Sequence, residues 1–408
     1  MSLPDTGATF GDRRTPPVIV TLILLTAVGA FAMNAFIASL PALAEEFDAP
    51  YTAAQLAVSA YLGMTALMQL MIGPLSDRYG RRPVVLAALV IFVFASIGCA
   101  LAEDIVTFMV FRLIQSAVAA GLVLGRTIVR DLLPPDQAAS QIGYMTAAMA
   151  LVPMIGPMYG GAMEEALGWR ATFWTYAICG VGVWILCFID LGETNRNPSA
   201  SLTAQFRAYP DLLRARRFWG YSATAAFASG SFFAMLGGAP FVAREAFGLS
   251  PAATGLYLGS TGLGYMTGSL LTGRFAGRAG INRLMLIGCI VSTIGIGTGL
   301  VVDLLIVEHP LSVFGFCILV GLGNGLSMPA ATTGLLSVRP NLAGSASGLG
   351  AALMIGGGAL LSTLTGAILT RETGAWPLLL LMTVSAGLSV LSALYVLNRA
   401  RTAEAQSR

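Results

Sequence analysis

The sequence predicts an all-α membrane protein, with twelve transmembrane helices forming two pseudo-symmetric six-helix bundles. Three observations carry that prediction. Only 11% of the 408 residues are charged, 56% are apolar before 48 glycines are counted, and the mean hydropathy is +0.78, whereas soluble domains carry about 25% charged residues. The charges cluster so that they bound twelve long uncharged intervals. One long polar stretch, 191–217, splits the chain into parts of nearly equal length. This composition excludes a soluble enzyme, a nucleic-acid binder and a disordered chain.

A spanning helix needs roughly 20 residues almost free of ionised groups, and each interval reaches about that length. Helix 1 fits the interval between Arg14 and Glu45, helix 2 that between Asp48 and Asp77, and helix 3 that between Arg82 and Glu103. Helix 4 takes the stretch between Asp104 and Arg126, interrupted by Arg112 alone; helices 5 and 6 take those from Asp136 to Glu164 and from Arg170 to Asp190. Helices 7, 8 and 9 fit between Arg217 and Arg244, between Glu245 and Arg274, and between Arg283 and Asp303. Helices 10, 11 and 12 fit between Glu308 and Arg339, between Arg339 and Arg371, and between Glu372 and Arg399. The first apolar stretch, 17–40, is too long for the core of a cleaved signal peptide and lacks a convincing cleavage site, so it reads as helix 1.

Lysine is absent, so arginine alone carries the orientation signal. With both termini cytoplasmic, nineteen of the 23 arginines fall inside, Arg170, Arg244 and Arg371 fall outside, and Arg112 lies within a helix. The net charge of +3 therefore reflects topology rather than a nucleic-acid partner. The five cysteines all fall inside spans and read as free thiols packed as small apolar residues. The single histidine, His309, is a loop residue beside Pro310, no metal-ligand spacing occurs, and a phosphate-binding loop requires a lysine that is missing. No cofactor or metal is expected, and ATP is not the expected energy source.

The linker 191–217 contains Pro198 and Pro210 and closes on Arg214, Arg216 and Arg217. It leaves a first bundle, 1–190, and a second, 218–408, with six spans each. Charge landmarks repeat at a nearly constant offset: 200 for Glu103 and Asp303, 203 for Arg14 and Arg217, 203 for Asp136 and Arg339, 207 for Glu164 and Arg371. A duplicated six-helix unit is the simplest reading, and many secondary transporters use one, with substrate near the midplane between the halves. Glycines four apart, such as Gly156 and Gly160 or Gly255 and Gly259, predict close helix contacts.

The most specific motif is the turn after helix 2, Gly73-Pro74-Leu75-Ser76-Asp77-Arg78-Tyr79-Gly80-Arg81-Arg82. An acid, a helix end and clustered arginines in a short turn can pair with one another and with a neighbouring helix terminus, forming a latch that breaks when the halves rock. Arginines that only set topology would not require Gly73, Asp77 and Gly80. This turn resembles the signature loop between helices 2 and 3 of the major facilitator superfamily at each defining position. Gly273-Arg274-Phe275-Ala276-Gly277-Arg278 is a degenerate echo in the second half, without the acid.

Arg112 is the second signal, because a charge inside a membrane helix is expensive and by default functional. Gln115, Ser116 and Ala119 follow it on the same helical face. Snorkelling is the competing reading, since Arg112 is only ~10 Å along the helix from Asp104. Arg112 and Gln115 resemble the superfamily's helix-4 motif, which implies proton coupling or substrate contact; Ser116 stands where that motif has glycine. In helix 5, Gly156-Pro157-Met158-Tyr159-Gly160-Gly161 is similar to the G-P-x-x-G-G motif of drug antiporters, with Val152 at a preceding small position. Proline bends a helix and glycine admits a neighbour, so Gly156, Pro157, Gly160 and Gly161 suit a hinge, although ordinary kinked packing uses the same residues.

Longer stretches, including Gly125-Arg126-Thr127-Ile128-Val129-Arg130-Asp131-Leu132, Gly168-Trp169-Arg170-Ala171-Thr172-Phe173-Trp174, Ala239-Pro240-Phe241-Val242 and Gly323-Asn324-Gly325-Leu326-Ser327-Met328-Pro329-Ala330, resemble Bcr/CflA drug-resistance transporters nearly end to end. That resemblance implies a bacterial inner-membrane exporter of small, mostly apolar compounds in exchange for protons; a monomer is expected. One departure matters. Where relatives often have an aspartate in helix 1, this chain has Asn34, and an amide cannot bind and release a proton near neutral pH.

No acid lies deep in any other span, so a lipophilic cation would lack a partner, and neutral or acidic compounds are the expected substrates. Cavity candidates are the polar and aromatic residues in mid-span: Asn34, Tyr61, Arg112, Gln115, Phe232, Phe233, Tyr257 and Asn324. The rival reading is an uncoupled facilitator or importer of a small neutral or anionic metabolite. A membrane enzyme has no nucleophile–base pair or metal ligands to build on, and a non-transporting sensor would bind without flux.

Overall fold

The computed structural model describes residues 8–195, 209–306, 309–339 and 342–406, and these are helical almost throughout. Helix 1 is Ile19–Glu46, helix 2 Tyr51–Tyr79, helix 3 Arg81–Ala100 and helix 4 Ile105–Leu132. Helix 5 comes in two pieces, Pro135–Met149 and Val152–Leu167, and helix 6 is Trp169–Asp190. After a one-turn helix, Tyr209–Leu213, come helix 7 (Arg216–Glu245), helix 8 (Pro251–Ala279) and helix 9 (Ile281–Leu305). Helices 10, 11 and 12 are Pro310–Ser337, Ala343–Ile368 and Trp376–Gln406.

Ten of the twelve are long and apolar enough to cross a membrane by length and composition. The other two are the interrupted helix 5 and the glycine-rich helix 8. Both reasons are local: Val152-Pro153 follows a break at Ala150-Leu151, and helix 8 replaces bulky apolar residues with glycine at Gly255, Gly259, Gly262, Gly264 and Gly268. The expected linker 191–217 is shorter than predicted, because Arg216 and Arg217 already belong to helix 7; its stretch 196–208, with Pro198, lies outside the described residues.

Gly80 and Gly280 show why helices 2 to 3 and 8 to 9 turn so tightly. Each caps one helix and starts the next with φ of 94° and 79°, a region that glycine enters without steric penalty. Their separation is 200 residues, the offset of the charge landmarks.

In the first half, helix 3 packs on helices 4 and 6, and helix 1 packs on helices 4, 5 and 6. In the second, helix 7 packs on 10, 11 and 12, and helix 10 on 8 and 9. The halves meet along two seams, helix 5 against helix 8 and helix 2 against helix 11. Glycine makes the first seam close: a Cβ at Gly161 would lie 2.2 Å from the Pro251 carbonyl oxygen, and one at Gly255 2.2 Å from that of Pro157. Large apolar side chains such as Phe94, Ile178, Ile294 and Leu391, on helices 3, 6, 9 and 12, are exposed, as a hydrocarbon surround requires.

The three arginines that break the orientation pattern all have acidic partners. Arg170 pairs with Glu46, Arg244 with Glu45 at 2.6 Å, and Arg371 with Glu245 at 2.9 Å. Of the cysteines, all free, four are buried as predicted and Cys179 is exposed. His309 caps helix 10, its Nδ1 accepting from the Leu311 N–H at 3.1 Å.

Candidate functional site

The chain places Arg112 at the centre of the first half with no exposed surface. Its Nη2 donates to the Ala32 carbonyl of helix 1 at 2.9 Å and its Nε to the Ala57 carbonyl of helix 2 at 3.3 Å. Nη1 donates to Gln115 Oε1, and Gln115 Nε2 passes the chain on to Ser96 Oγ of helix 3 at 2.7 Å. Aromatic rings close the remaining sides: Tyr61 at 3.9 Å, Phe36 at 4.1 Å and Phe173 at 5.9 Å from the guanidinium carbon. Among the described residues no carboxylate lies within ion-pair distance of it.

A guanidinium has five donors in a flat fork, and here helix carbonyls, an amide and π faces stand in for a counter-ion. The arrangement departs both from the competing reading and from the expected place at a cavity. Arg112 does not snorkel, and it does not face a cavity; it is sealed in a cage that joins helices 1, 2, 3, 4 and 6. Tyr61, a predicted cavity residue, is one wall of that cage. Gln115 and Ser116 are equally buried, and helix 4 tightens to a 3-10 turn over Ser116–Val118, directly after Gln115.

Asn34 lies two residues beyond the Ala32 carbonyl, where helix 1 tightens to a 3-10 turn over Ala35–Ser39. It is buried; Nδ2 donates to the Ala30 carbonyl at 2.7 Å and Oδ1 has no hydrogen-bond partner. The helix-5 motif packs against this bend. A Cβ at Gly156 would sit 3.1 Å from Asn34 Cβ, and one at Gly160 only 1.4 Å from the Ala35 carbonyl oxygen. Gly156 and Gly160 thus seat helix 1 while Gly161 seats helix 8, so the motif touches both halves; Pro157 stands between them within the helix.

The other cavity candidates do not join this group. Phe232 and Phe233 contact each other on helix 7, with Phe233 against Gly358 of helix 11; Tyr257 stacks on Phe314, helix 8 on helix 10, with centroids 5.1 Å apart. Asn324 is buried on helix 10 with its Oδ1 unpartnered. The eight residues therefore form separate clusters, because the positions share membrane depth and not helix faces.

At the face carrying the termini, the signature loop is a bonded knot. Arg81 joins Asp77 at 2.5 Å and Asp131, at the end of helix 4, at 3.1 Å. Glu193 accepts the Arg81 and Arg82 N–H groups at 2.9 and 3.2 Å, Asn195 Nδ2 donates to the Asp77 carbonyl at 2.8 Å, and Arg82 Nε donates to the Leu191 carbonyl at 2.8 Å. Gly80 is where Glu193 fits, since a Cβ there would come 2.4 Å from its Oε2. Arg78 is exposed and lies over Tyr79, and Gly73 accepts from Ser76 Oγ. These bonds all stay within helices 2, 3, 4 and 6 and the strand of chain after helix 6.

The opposite face is tied across the halves. Glu45 pairs with Arg244, Tyr51 Oη donates to the Gly237 carbonyl at 2.9 Å, and Glu165 accepts the Ala252 N–H at 3.2 Å. Gln55 of helix 2 donates to Ser362 of helix 11, its Oγ at 3.1 Å. Asp131, Glu193, Gln55 and Ser96 escaped sequence reasoning. Asp131 and Gln55 carried a signal, an acid inside a distinctive stretch and an amide within a span, but their partners lie 50 and 307 residues away.

The family model for the Major Facilitator Superfamily matches residues 22–363. The chain belongs to the major facilitator superfamily. The uncharacterised MFS-type transporter YdgK of Bacillus subtilis is 31% identical over 377 residues, covering 90% of this chain and 92% of that protein. A chloramphenicol resistance protein of Pseudomonas aeruginosa is 28% identical over 386 residues, covering 91% and 90%. The solved D-xylose–proton symporter overlays with a TM-score of 0.71 at 17% identity, covering 93% of this chain and 96% of that one, and shows the fold. This superfamily member is a multi-pass membrane protein and a secondary transporter of small molecules, not an enzyme.

Proposed function

We propose that this transporter exports small, mostly apolar compounds by alternating access, in exchange for protons, as a monomer in the inner membrane with both termini in the cytoplasm. In this reading 1–190 and 216–408 are the rocking units and 191–215 is their cytoplasmic linker. The observation that carries it is the asymmetry of the ties. Cross-half hydrogen bonds and ion pairs gather at the face away from the termini, while at the terminal face the bonds of Arg81, Arg82 and Glu193 described above join groups of the first half. Such a molecule is closed outside and free to open inside, and reversing the ties reverses access. The likeness to a chloramphenicol resistance protein supports export of neutral drugs.

Proton exchange in this reading uses a group other than a helix-1 acid, because Asn34 is no carboxylate. The second reading, an uncoupled facilitator or importer of a neutral or anionic metabolite, draws on Asn34 itself. Proton release from detergent-purified protein on adding chloramphenicol separates the two, measured beside an Asn34→Asp variant. Release by the unaltered protein supports antiport without a helix-1 acid; release by the variant alone, with drug still bound by both, overturns antiport in favour of the facilitator.

A further inference from the structure

A second arginine lies inside helix 4, and its surroundings are the reverse of those of Arg112. Arg126 sits six residues, about 9 Å, before the end of the helix at Leu132. It is exposed, yet it does not project beyond the helix bundle: it lines a hollow with Thr26 of helix 1, Leu122 of its own helix, and Met145, Thr146 and Met149 of helix 5. From the other half, Tyr265 of helix 8 is near enough for the guanidinium charge to act on its phenol. Arg126 therefore lines a hollow among helices 1, 4 and 5, with helix 8 of the other half nearby.

Among the described residues Arg126 has no ion pair and no hydrogen bond. The acid closest in sequence, Asp131, is already taken by Arg81 at 3.1 Å. Its one charged neighbour of note is Arg130, of like sign. The threonine hydroxyls beside it donate to backbone carbonyls, Thr26 Oγ1 to Leu22 at 3.0 Å and Thr146 Oγ1 to Ile142 at 2.8 Å, and neither accepts from Arg126. What remains is an uncompensated planar cation beside two methionines and a leucine. Flexible thioethers accept apolar bodies of varied shape, and a guanidinium fork takes a carboxylate through two parallel hydrogen bonds.

We propose that Arg126 anchors the negative group of an amphipathic monoanion, a small apolar body carrying one carboxylate, with Leu122, Met145 and Met149 receiving the apolar part. Because Tyr265 of the opposite half lies close enough to feel the same guanidinium charge, a movement between the halves changes the surroundings of the bound anion, and a ligand shifts a conformational equilibrium by its differential contacts in the two states. The inference rests on the transport reading above and names a substrate class for its cleft. It also relocates the cation that selects against lipophilic cations: Arg112 is sealed, and Arg126 is the one a ligand meets.

The test is binding of nalidixate, an apolar monoanion, and of neutral chloramphenicol to purified wild-type protein, Arg126→Gln and Arg126→Lys at neutral pH. The expected result is a nalidixate Kd weakened about tenfold or more by Arg126→Gln, the scale of a lost charged hydrogen-bond pair. Chloramphenicol affinity stays nearly unchanged, and Arg126→Lys keeps most of the nalidixate binding. Equal loss of both ligands in Arg126→Gln without recovery in Arg126→Lys overturns the inference, as does unchanged nalidixate affinity. Wild-type protein that ignores nalidixate overturns it too, and chloramphenicol binding in the same experiment judges the transport reading separately.

Discussion

Replacing Arg112 by lysine destabilises the transporter more than replacing it by methionine. The cage supplies the reasoning: Arg112 donates to the Ala32 carbonyl, the Ala57 carbonyl and Gln115 Oε1, lies against Tyr61 and Phe36, and has no exposed surface. Methionine removes three donors at about 1 kcal/mol each, but it also removes a desolvated charge, which is neutral or stabilising by about 1–4 kcal/mol. The net change lies between a gain of about 1 kcal/mol and a loss of about 3 kcal/mol, since these effects oppose each other. Lysine keeps the charge, cannot span three acceptors in three helices with one compact ammonium, and leaves it undercompensated at a loss of about 3–5 kcal/mol. Thermal unfolding in detergent, followed by tryptophan fluorescence, places Arg112→Lys below both wild type and Arg112→Met. A lysine variant at least as stable as the methionine one refutes the reading of the cage as a fork-shaped site.

Three further outcomes follow from separate places in the fold. Gly160→Ala puts a methyl 1.4 Å from the Ala35 carbonyl oxygen, an overpacking of about 3 kcal/mol or more, whereas Gly63→Ala meets nothing within 4 Å; folded yield in detergent drops for the first alone. Gly80→Ala adds strain of about 1–2 kcal/mol for a left-handed φ and pushes Glu193 off the Arg81 and Arg82 N–H groups, so a spin label on the helix 2–3 turn gains mobility. Asp104, outside the membrane span, caps helix 4, and bonds from the Thr107 hydroxyl and the Thr107 and Val106 N–H groups hold its carboxyl below the ordinary 3.8. Its folded pKa is depressed, so the cap is intact above that value and is lost as pH falls through the lowered one. Asp104→Asn abolishes this acid sensitivity of the melting temperature, while Asp104→Ala loses the cap at every pH.

Much of the fold was legible because a bilayer leaves the chain little choice. Backbone groups in hydrocarbon must bond within their own segment, so span positions are written locally, in apolar length and flanking charge. Glu103 with Asp303 and Gly80 with Gly280 mark the repeat at the same offset of 200. The signature turn was also readable, since Asp77 and Arg81 are one helical turn apart and pair as spacing requires. Helix 5 was harder: the break at 150–151 precedes Pro153, and an uninterrupted apolar interval hides it.

The sequence by itself determined that twelve apolar segments exist, that Arg112 must have unusual company, and that glycines admit close contacts around the helix-5 motif. Tertiary structure alone decided what that company is. Arg112 reaches carbonyls 80 and 55 residues away, and nothing local distinguishes a helix face that meets three neighbours from one that meets a cleft. Arg126, fourteen residues along the same helix, looks like a boundary charge in the sequence and lines a hollow among helices 1, 4 and 5 in the fold. Depth in the membrane follows from counting residues, but facing is set by which helices pack where, and that is a property of the whole chain.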